Sequence, residues 1–210
     1  MRLIGISGKI GAGKDTVGVI IRKLSIINNG ADWDIRKFAG KLKTIASLLT
    51  GIPTEKFEDQ EFKKALLGPE WSKETKSNPL NAIEPFKDIT FVEMMSVREL
   101  LQKLGTEAMR NGLHQNAWVN ALFADFKDDM HWIVTDMRFP NEYKAIKDKG
   151  GITIRVNRPG YGTSMTDLAN AHPSETALDG FDFDYTINNE GDLEKLTSLV
   201  REILEKENII

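Results

Sequence analysis

The feature that most constrains this chain is the glycine-rich segment 8–16, which directly follows an apolar run. It matches the phosphate-binding P-loop pattern G-x-x-x-x-G-K-[ST] at Gly8, Gly13 and Lys14, but Asp15 stands where that pattern has a hydroxyl group. Such glycines let backbone N–H groups surround a phosphate, the next helix adds its positive N-terminal end, and the lysine adds a point charge. The alternative, a glycine-rich turn without a ligand, is disfavoured because the strand, loop and helix patterns agree. The residues predicted to bind nucleotide phosphates are Gly11, Ala12, Gly13, Lys14, Asp15 and Thr16.

Apolar periodicity divides the rest of the chain into alternating strands and helices. The predicted strands are 2–7, 33–38, 132–135, 152–156 and 185–187. The predicted helices are about 14–27, 58–66, 96–111, 116–128, 140–148 and 192–206, with a further helix that carries Leu42 and Leu49. This alternation predicts an α/β protein with the three-layer P-loop NTPase fold, in which helices flank a central parallel sheet. Ligands of such a sheet bind at the carboxyl ends of its strands.

The length of 210 residues suits one substantial core with at most a small insert or lid, so a single domain over 1–210 is expected. The prolines and charges of 52–95 indicate a loop-rich insert, whose bounds we place at about 40–128. The glycine-, proline- and polar-rich segment 158–173 indicates a lid at about 158–175.

Composition excludes several classes of function. The formal net charge of −3 leaves no broad basic face for duplex DNA, so no nucleic-acid partner is expected. The absence of cysteine excludes disulfides, thiolate zinc sites and a cysteine nucleophile, and three scattered histidines suggest no metal cluster. No stretch approaches ~18 apolar residues and the N-terminus has the pattern of a core strand, so we expect no membrane contact and a cytoplasmic location.

Two charged residues follow the predicted strand 132–135. A carboxylate at a strand end, here Asp136, can hold a Mg²⁺-bound water as a Walker-B aspartate does, and Arg138 faces the same crevice. The alternative is a structural ion pair. We favour the functional interpretation because the strand end lies on the ligand side of the sheet.

Four further residues are candidates for substrate contacts, each with a structural alternative. Lys43 lies near a strand-to-helix junction and suits a phosphate, or is simply solvated. Arg98 and Gln102 are four residues apart and share one helix side; an arginine suits a phosphate and a glutamine a base edge, although spacing alone favours an ordinary polar flank. Trp118 is more often core than a base-stacking platform.

The last two candidates lie in loops. Arg158 opens the predicted lid, and an arginine carried by a lid can stabilise the charge on a transferring phosphoryl group. Asn188 begins the loop after the last predicted strand, which can approach a nucleobase through backbone groups or serve only as a turn and helix cap.

A P-loop alone does not separate a kinase from an ATPase, a GTPase or a regulator. The full set of motifs, however, resembles the phage deoxynucleoside monophosphate kinases of the P-loop nucleoside-monophosphate-kinase superfamily. The residues that carry the resemblance are Ser7 to Thr16, Phe38-Ala39 with Leu42-Lys43, Arg98 to Gln102 with Gly105-Thr106-Glu107, Trp118-Val119, Asp136 to Phe139 with Asn141-Glu142, and His172 with Ser174-Glu175.

The resemblance implies a three-part kinase that uses ATP and Mg²⁺ to phosphorylate a deoxynucleoside 5′-monophosphate. In that scheme Lys14 holds the donor phosphates; Lys43, Arg98 and Arg138 hold the acceptor phosphate; Arg158 neutralises developing charge. Asp15 and Asp136 place the metal, while Gln102 and Trp118 are candidates for reading the base. A homodimer is a family-level expectation, and the location is the host cytoplasm if the gene is a phage's.

Two alternatives stay open at this point. One is another small-molecule P-loop kinase of the dephospho-coenzyme A or phosphomevalonate type, which shares the glycine loop and a lid. The other is a non-enzymatic nucleotide-binding module or an ATPase switch, which would hydrolyse ATP without a monophosphate acceptor.

Overall fold

A computed structural model describes residues 2–75, 91–127, 129–160 and 173–210. The chain forms two compact units: a core unit of residues 1–40 and 116–210, and an inserted unit of residues 41–115. The inserted unit lies within the bounds that we predicted for the insert. Most of the predicted lid lies outside the described residues.

The core unit is built on a five-stranded parallel sheet. Its strands, numbered along the chain, are β1 (Arg2–Ser7), β2 (Asp34–Arg36), β5 (His131–Val134), β6 (Ile152–Asn157) and β7 (Tyr185–Asn188). Their order in the sheet is β2-β5-β1-β6-β7. Strands β2 and β5 lie on one side of the central strand β1, and β6 and β7 lie on the other, so the strand order reverses beside β1. Ligands of such sheets bind at this point of reversal.

Helices flank this sheet, and apolar patterns predicted all of them except the short helix Pro173–Thr176 at the end of the predicted lid. They are α1 (Lys14–Asn29), α2 (Phe38–Thr50, which continues into the inserted unit), α4 (Ala117–Phe123), α5 (Pro140–Asp148), α6 (Pro173–Thr176) and α7 (Leu193–Lys206). The predicted α/β class with a parallel sheet flanked by helices is confirmed.

Strand β1 explains how one apolar run supports both layers of helices. Successive side chains of a strand point to opposite faces. Ile4 and Ile6 pack with Val17 of α1 in one buried cluster, whereas Leu3 packs with Ile146 of α5 in another. A strand buried on both faces reads as a continuous apolar run, as here. This burial fixes the end of β1 in the centre of the sheet, and the P-loop emerges there.

The inserted unit is mostly short elements. After α2 come three 3₁₀ turns (Thr54–Glu58, Phe62–Lys64 and Pro69–Trp71), the antiparallel strands β3 (Lys73–Thr75) and β4 (Phe91–Glu93), α3 (Val97–Gln102) and a π-helix (Lys103–Leu113). Its buried core contains Ala46, Phe57, Leu67, Val97 and Leu100.

Several predicted boundaries were wrong. The predicted helix 58–66 contains only the 3₁₀ turn Phe62–Lys64 and the last residue of the preceding turn, Thr54–Glu58. The strand predicted over 33–38 is only three residues long, because Phe38 already begins α2. The single helix predicted over 96–111 changes from α to π geometry after Gln102. π geometry is rare, and helical apolar spacing alone predicts an α-helix.

Candidate active site

The P-loop joins β1 to α1 and depends on glycine at two positions. A Cβ atom at Gly8 would lie 2.4 Å from the carbonyl oxygen of Val156, so the loop passes too close to β6 for any side chain. Gly13 directly precedes α1 with φ of 101°, which L-residues rarely adopt. These two constraints bend the loop so that its backbone lies at the N-terminus of α1, the favourable end for a phosphate.

Lys14 folds back over this loop. Its Nζ donates to the carbonyl oxygens of Gly8 at 2.7 Å and Lys9 at 2.9 Å. Burial, with a smaller contribution from the charge of Arg138, lowers the pKa of Lys14 from 10.5 to about 8. The arrangement brings two cations together at the loop, and an anion placed there would stabilise both.

Asp15 occupies the position of the usual P-loop hydroxyl, and a hydroxyl from another strand end contacts it. Thr135 Oγ1 donates to Asp15 Oδ1 at 2.5 Å, and Lys37 Nζ lies 3.2 Å from Oδ2. Burial alone would raise the pKa of Asp15, but the hydrogen bonds from Thr135 and Lys37 outweigh it and the pKa is lowered. The carboxylate is ionised at neutral pH and its side chain is 66 % exposed. An exposed carboxylate next to a phosphate loop is a donor that Mg²⁺ accepts, since Mg²⁺ commonly takes one or two carboxylates together with substrate phosphates.

Asp136 lies after β5, as predicted, but it is fully engaged with backbone groups. Its two oxygens accept hydrogen bonds from the N–H groups of Phe38 at 2.7 Å and Ala39 at 2.9 Å, at the start of α2. Burial raises its pKa, and the two N–H bonds oppose that rise. The structure therefore gives Asp136 a helix-capping role, and its role as a metal ligand stays a prediction.

Both predicted catalytic arginines lie in the core unit near the P-loop. Arg138 contacts the carboxylate of Glu175 and is close enough to Lys14 to lower its pKa. Arg158 Nη1 lies 3.4 Å from the carbonyl oxygen of Gly11. With Lys14, these residues place three cationic side chains around one loop.

An asparagine that sequence reasoning did not single out contacts the loop from the other side. Asn189 Nδ2 donates to the carbonyl oxygen of Ala12 at 2.9 Å. The neighbouring Asn188, which we predicted, is exposed at the end of β7. The predicted contact of Asn188 with the nucleotide stays a prediction.

A second group that sequence reasoning missed is acidic. Glu175, in α6, also accepts from the backbone N–H of Ile10 at 3.1 Å through Oε2. Lys9 Nζ donates to the carbonyl oxygen of Glu175 and to Asp179 Oδ2, both at 2.5 Å. The resemblance included Glu175 without giving it a role, and the sequence carries no local signal that Asp179 lies beside the P-loop.

The candidates for substrate contacts lie in different surroundings. Within the inserted unit, Lys43 is 8 % exposed and its Nζ is 2.5 Å from Glu58 Oε1. Arg98 and Gln102 are both exposed on α3. In the core unit, Trp118 is 4 % exposed. Their predicted contacts with substrate stay predictions.

Comparison with known proteins identifies the family. A family model described as deoxynucleotide monophosphate kinase matches residues 54–200, which is more than half of the chain. The chain belongs to the deoxynucleotide monophosphate kinase family. The match begins beyond the P-loop, so the loop geometry described above is independent support for the binding of a phosphate group.

Relatives of this deoxynucleotide monophosphate kinase family member include viral proteins. It is 33 % identical to the deoxynucleotide monophosphate kinase of Enterobacteria phage T4 over 53 % of this chain and 46 % of that protein. A putative deoxynucleotide monophosphate kinase of Acanthamoeba polyphaga mimivirus is 27 % identical over 95 % of this chain and 94 % of that protein. The deoxynucleoside-5′-monophosphate kinase of Escherichia phage T5 is 25 % identical over 84 % of each chain. The chain thus aligns with about half the length of the T4 relative and with nearly all of the mimivirus one.

Among the described residues, no helix is both long and apolar enough to cross a membrane. No cluster of three or more histidine, aspartate or glutamate side chains in the described part of the chain is arranged to hold a metal ion.

Proposed function

We propose that this chain transfers the γ-phosphoryl group of ATP to a deoxynucleoside 5′-monophosphate, giving ADP and the deoxynucleoside diphosphate. The observation that carries this proposal is the placing of Lys14, Arg138 and Arg158 around the P-loop. Phosphoryl transfer needs positioning and charge stabilisation more than covalent help from the protein, and three cations at one phosphate loop supply both. Family membership and the names of the relatives support the same reaction.

On the donor side, each residue has a task that its contacts support. The P-loop N–H groups and Lys14 bind the β- and γ-phosphates, and Lys14 exchanges its two carbonyl partners for phosphate oxygens. Arg138 and Arg158 stabilise the negative charge of the transferring group. Asn189 holds the loop at Ala12, which keeps the backbone in place while phosphates enter and leave.

The metal fits one place best. Asp15 is ionised and exposed, and Thr135 fixes one of its oxygens, so we propose that it binds Mg²⁺ directly or through one water. Mg²⁺ held there would supply positive charge to offset that of the phosphates. We propose that Asp136 reaches the metal through a water, since two backbone N–H groups already bind its carboxylate.

The inserted unit is proposed to bind the acceptor nucleotide. Arg98 and Gln102 are exposed on one side of α3, where an arginine can bind a phosphate and a glutamine a base edge. Lys43 forms an ion pair with Glu58, so we propose that it binds the acceptor phosphate only after that pair opens. Its proposed contribution to substrate binding is therefore smaller than its position in the sequence indicated. Trp118 is buried, so we propose that it supports the fold around any base contact rather than stacking in the open. A homodimer stays a prediction.

A coupled assay of ADP release tests this function. The purified chain, ATP and Mg²⁺ are combined with each common deoxynucleoside and ribonucleoside monophosphate in turn, and with dephospho-coenzyme A. We expect ADP formation that depends on an added deoxynucleoside monophosphate, with the diphosphate as the second product. ADP release without any acceptor would instead indicate an ATPase switch, and turnover of dephospho-coenzyme A alone would indicate the other class of kinase.

A further inference from the structure

One carboxylate, that of Glu175, binds both an arginine and the P-loop. Glu175 Oε1 accepts from Arg138 Nη1, while Oε2 accepts from the N–H of Ile10 at 3.1 Å. The side chain of Glu175 is only 17 % exposed and that of Arg138 is 32 % exposed. The pair is thus partly shielded from water, unlike an ordinary surface ion pair.

Further bonds fix the segment that carries this carboxylate. Lys9 Nζ, in the P-loop, donates to the carbonyl oxygen of Glu175 and to Asp179 Oδ2, both at 2.5 Å. Asp179 Oδ1 accepts from Arg155 Nη2 at 2.6 Å, and Arg155 Nη1 contacts Ser7 Oγ at the end of β1 at 3.0 Å. The backbone at Glu175 is therefore held directly on the P-loop, and Asp179 ties the same segment to two strand ends.

Arg138 needs such a partner for a physical reason. It lies near Lys14, and repulsion between the two like charges adds to burial, the larger cause, in lowering the pKa of Lys14. Without a counter-charge, a long and flexible arginine would turn towards solvent. Glu175 engages Arg138 through Nη1, and a guanidinium with five N–H donors keeps others for a phosphoryl group.

We propose that Glu175 is a positioning residue for phosphoryl transfer: its carboxylate fixes the Arg138 guanidinium and the Ile10 N–H of the P-loop relative to each other. This inference rests on the proposed function, in which Arg138 stabilises the negative charge of the transferring phosphoryl group. Glu175 does not itself contact the nucleotide in this scheme. An acidic side chain would repel phosphate, and it is tolerated there because Arg138 and the backbone N–H neutralise it.

A double-mutant cycle separates positioning from simple structural support. Glu175→Gln keeps the shape and one carbonyl acceptor but removes the charge and the second acceptor. We expect this variant to lower kcat roughly 10- to 100-fold, since small misplacement of a catalytic group costs that much, with a smaller change in KM for ATP. Arg138→Gln should lower kcat by about 10²- to 10³-fold. The double variant should be no slower than Arg138→Gln alone, because Glu175 acts through Arg138.

Two controls accompany the cycle. Asp148→Asn removes the exposed ion pair with Lys144 and should leave kcat unchanged. Unfolding temperatures of all variants show whether a loss of rate follows a loss of folded protein.

An NMR measurement tests the positioning without any turnover. Arginine side-chain ¹⁵N spectra report rotation of each guanidinium group, and Arg138→Gln assigns the signal. We expect hindered rotation of Arg138 in the wild-type protein and faster rotation in Glu175→Gln. Equal rotation in both, or fully multiplicative kinetic effects of the two substitutions, would overturn the inference. A wild-type protein with hindered rotation but without acceptor-dependent ADP release would overturn the proposed function instead.

Discussion

The P-loop region of the core unit and the exposed side of α3 in the inserted unit hold their charged groups in opposite ways. Around the P-loop, Lys14, Asp15 and Arg138 each have protein partners already in place. On α3, Arg98 and Gln102 are exposed to solvent. Groups fixed in advance cost no reorganisation during the reaction and therefore raise kcat. Long exposed side chains lose rotamer freedom when a ligand binds, so their contribution is expected mainly in KM.

Removal of the P-loop lysine is the strongest test of this difference between the two regions. Lys14→Ala should lower kcat by about 10²- to 10³-fold or more, below the detection limit of the coupled assay, because one transition-state charge contact is lost. The fold should persist, since burial of the Lys14 charge is itself unfavourable and the pKa is lowered for that reason. Steady-state ADP release and an unfolding curve measure the two effects.

A lysine outside the site gives the matched control for that experiment. Lys144 forms an exposed ion pair with Asp148 on α5, so Lys144→Ala removes the same type of side chain without touching the P-loop. It should retain wild-type kcat and KM. Undiminished turnover in Lys14→Ala would contradict the assignment of the donor site, whatever the control shows.

The second prediction concerns α3. Arg98→Ala should raise KM for the monophosphate by roughly 10- to 100-fold, the range expected for a hydrogen bond to a charged group, with a smaller change in kcat and in KM for ATP. Lys64→Ala, which removes an exposed cation from the same unit, is the control. A variant that loses kcat and keeps KM would show that α3 acts in the chemical step, and the contrast between the two regions would then be lost.

Much of the fold follows from sequence patterns that involve only residues close together in the chain. The P-loop strand is a short apolar run, and burial on both faces of a parallel sheet explains why such a run lacks alternation. Helix α5 begins at Pro140, as expected for a proline at the first helical position. The π-helix was not predicted, because π geometry is rare and helical apolar spacing alone predicts an α-helix.

Arg138 and Arg158 were predicted one by one, but the contacts between site residues were predictable only within the contiguous P-loop. Lys14 and Asp15 were found because the motif is contiguous. Thr135 is 120 residues from Asp15, and Glu175 is 37 residues from Arg138, so no spacing rule connects either pair. Such contacts arise from the parallel sheet, which brings the ends of distant strands to one edge.

The contact from Thr135 gives a third prediction. Thr135→Val keeps the shape of a side chain that is 1 % exposed and removes the hydroxyl that donates to Asp15. We expect kcat/KM for ATP to fall about tenfold and the Mg²⁺ concentration for half-maximal rate to rise, as when an outer partner of a metal-binding carboxylate is removed. Thr153→Val is less suitable as a control because Thr153 bonds Asp184 in the fold; Thr197→Val, on the surface of α7, is matched and should have no effect. An unchanged Mg²⁺ dependence in Thr135→Val would argue against Asp15 as the metal-binding residue.

The smallest expected effect is a pH dependence that belongs to the P-loop side alone. In the free protein Lys14 loses its proton near a pKa of about 8, so kcat/KM for ATP should fall to about half of its plateau near that pH. Bound phosphate favours the charged lysine and raises its pKa, so kcat should hold to higher pH. KM for the monophosphate should not follow this titration if α3 works independently of Lys14.

The titration of Lys14 also changes the free energy of unfolding, and the direction of that change tests whether burial of the charge lowers the pKa. The folded pKa of about 8 lies below the ordinary 10.5, so the unfolded chain binds more protons between these values and the contribution of Lys14 to the free energy of unfolding rises with pH there. Below that window its unfavourable burial is fully present. Subtracting the urea unfolding curves of Lys14→Ala from those of the wild-type protein isolates this term. A difference that stays flat from pH 7 to pH 10 would mean that Lys14 is not buried with its charge, and the contrast between a prearranged P-loop and an open α3 would have to rest on Arg138 and Asp15.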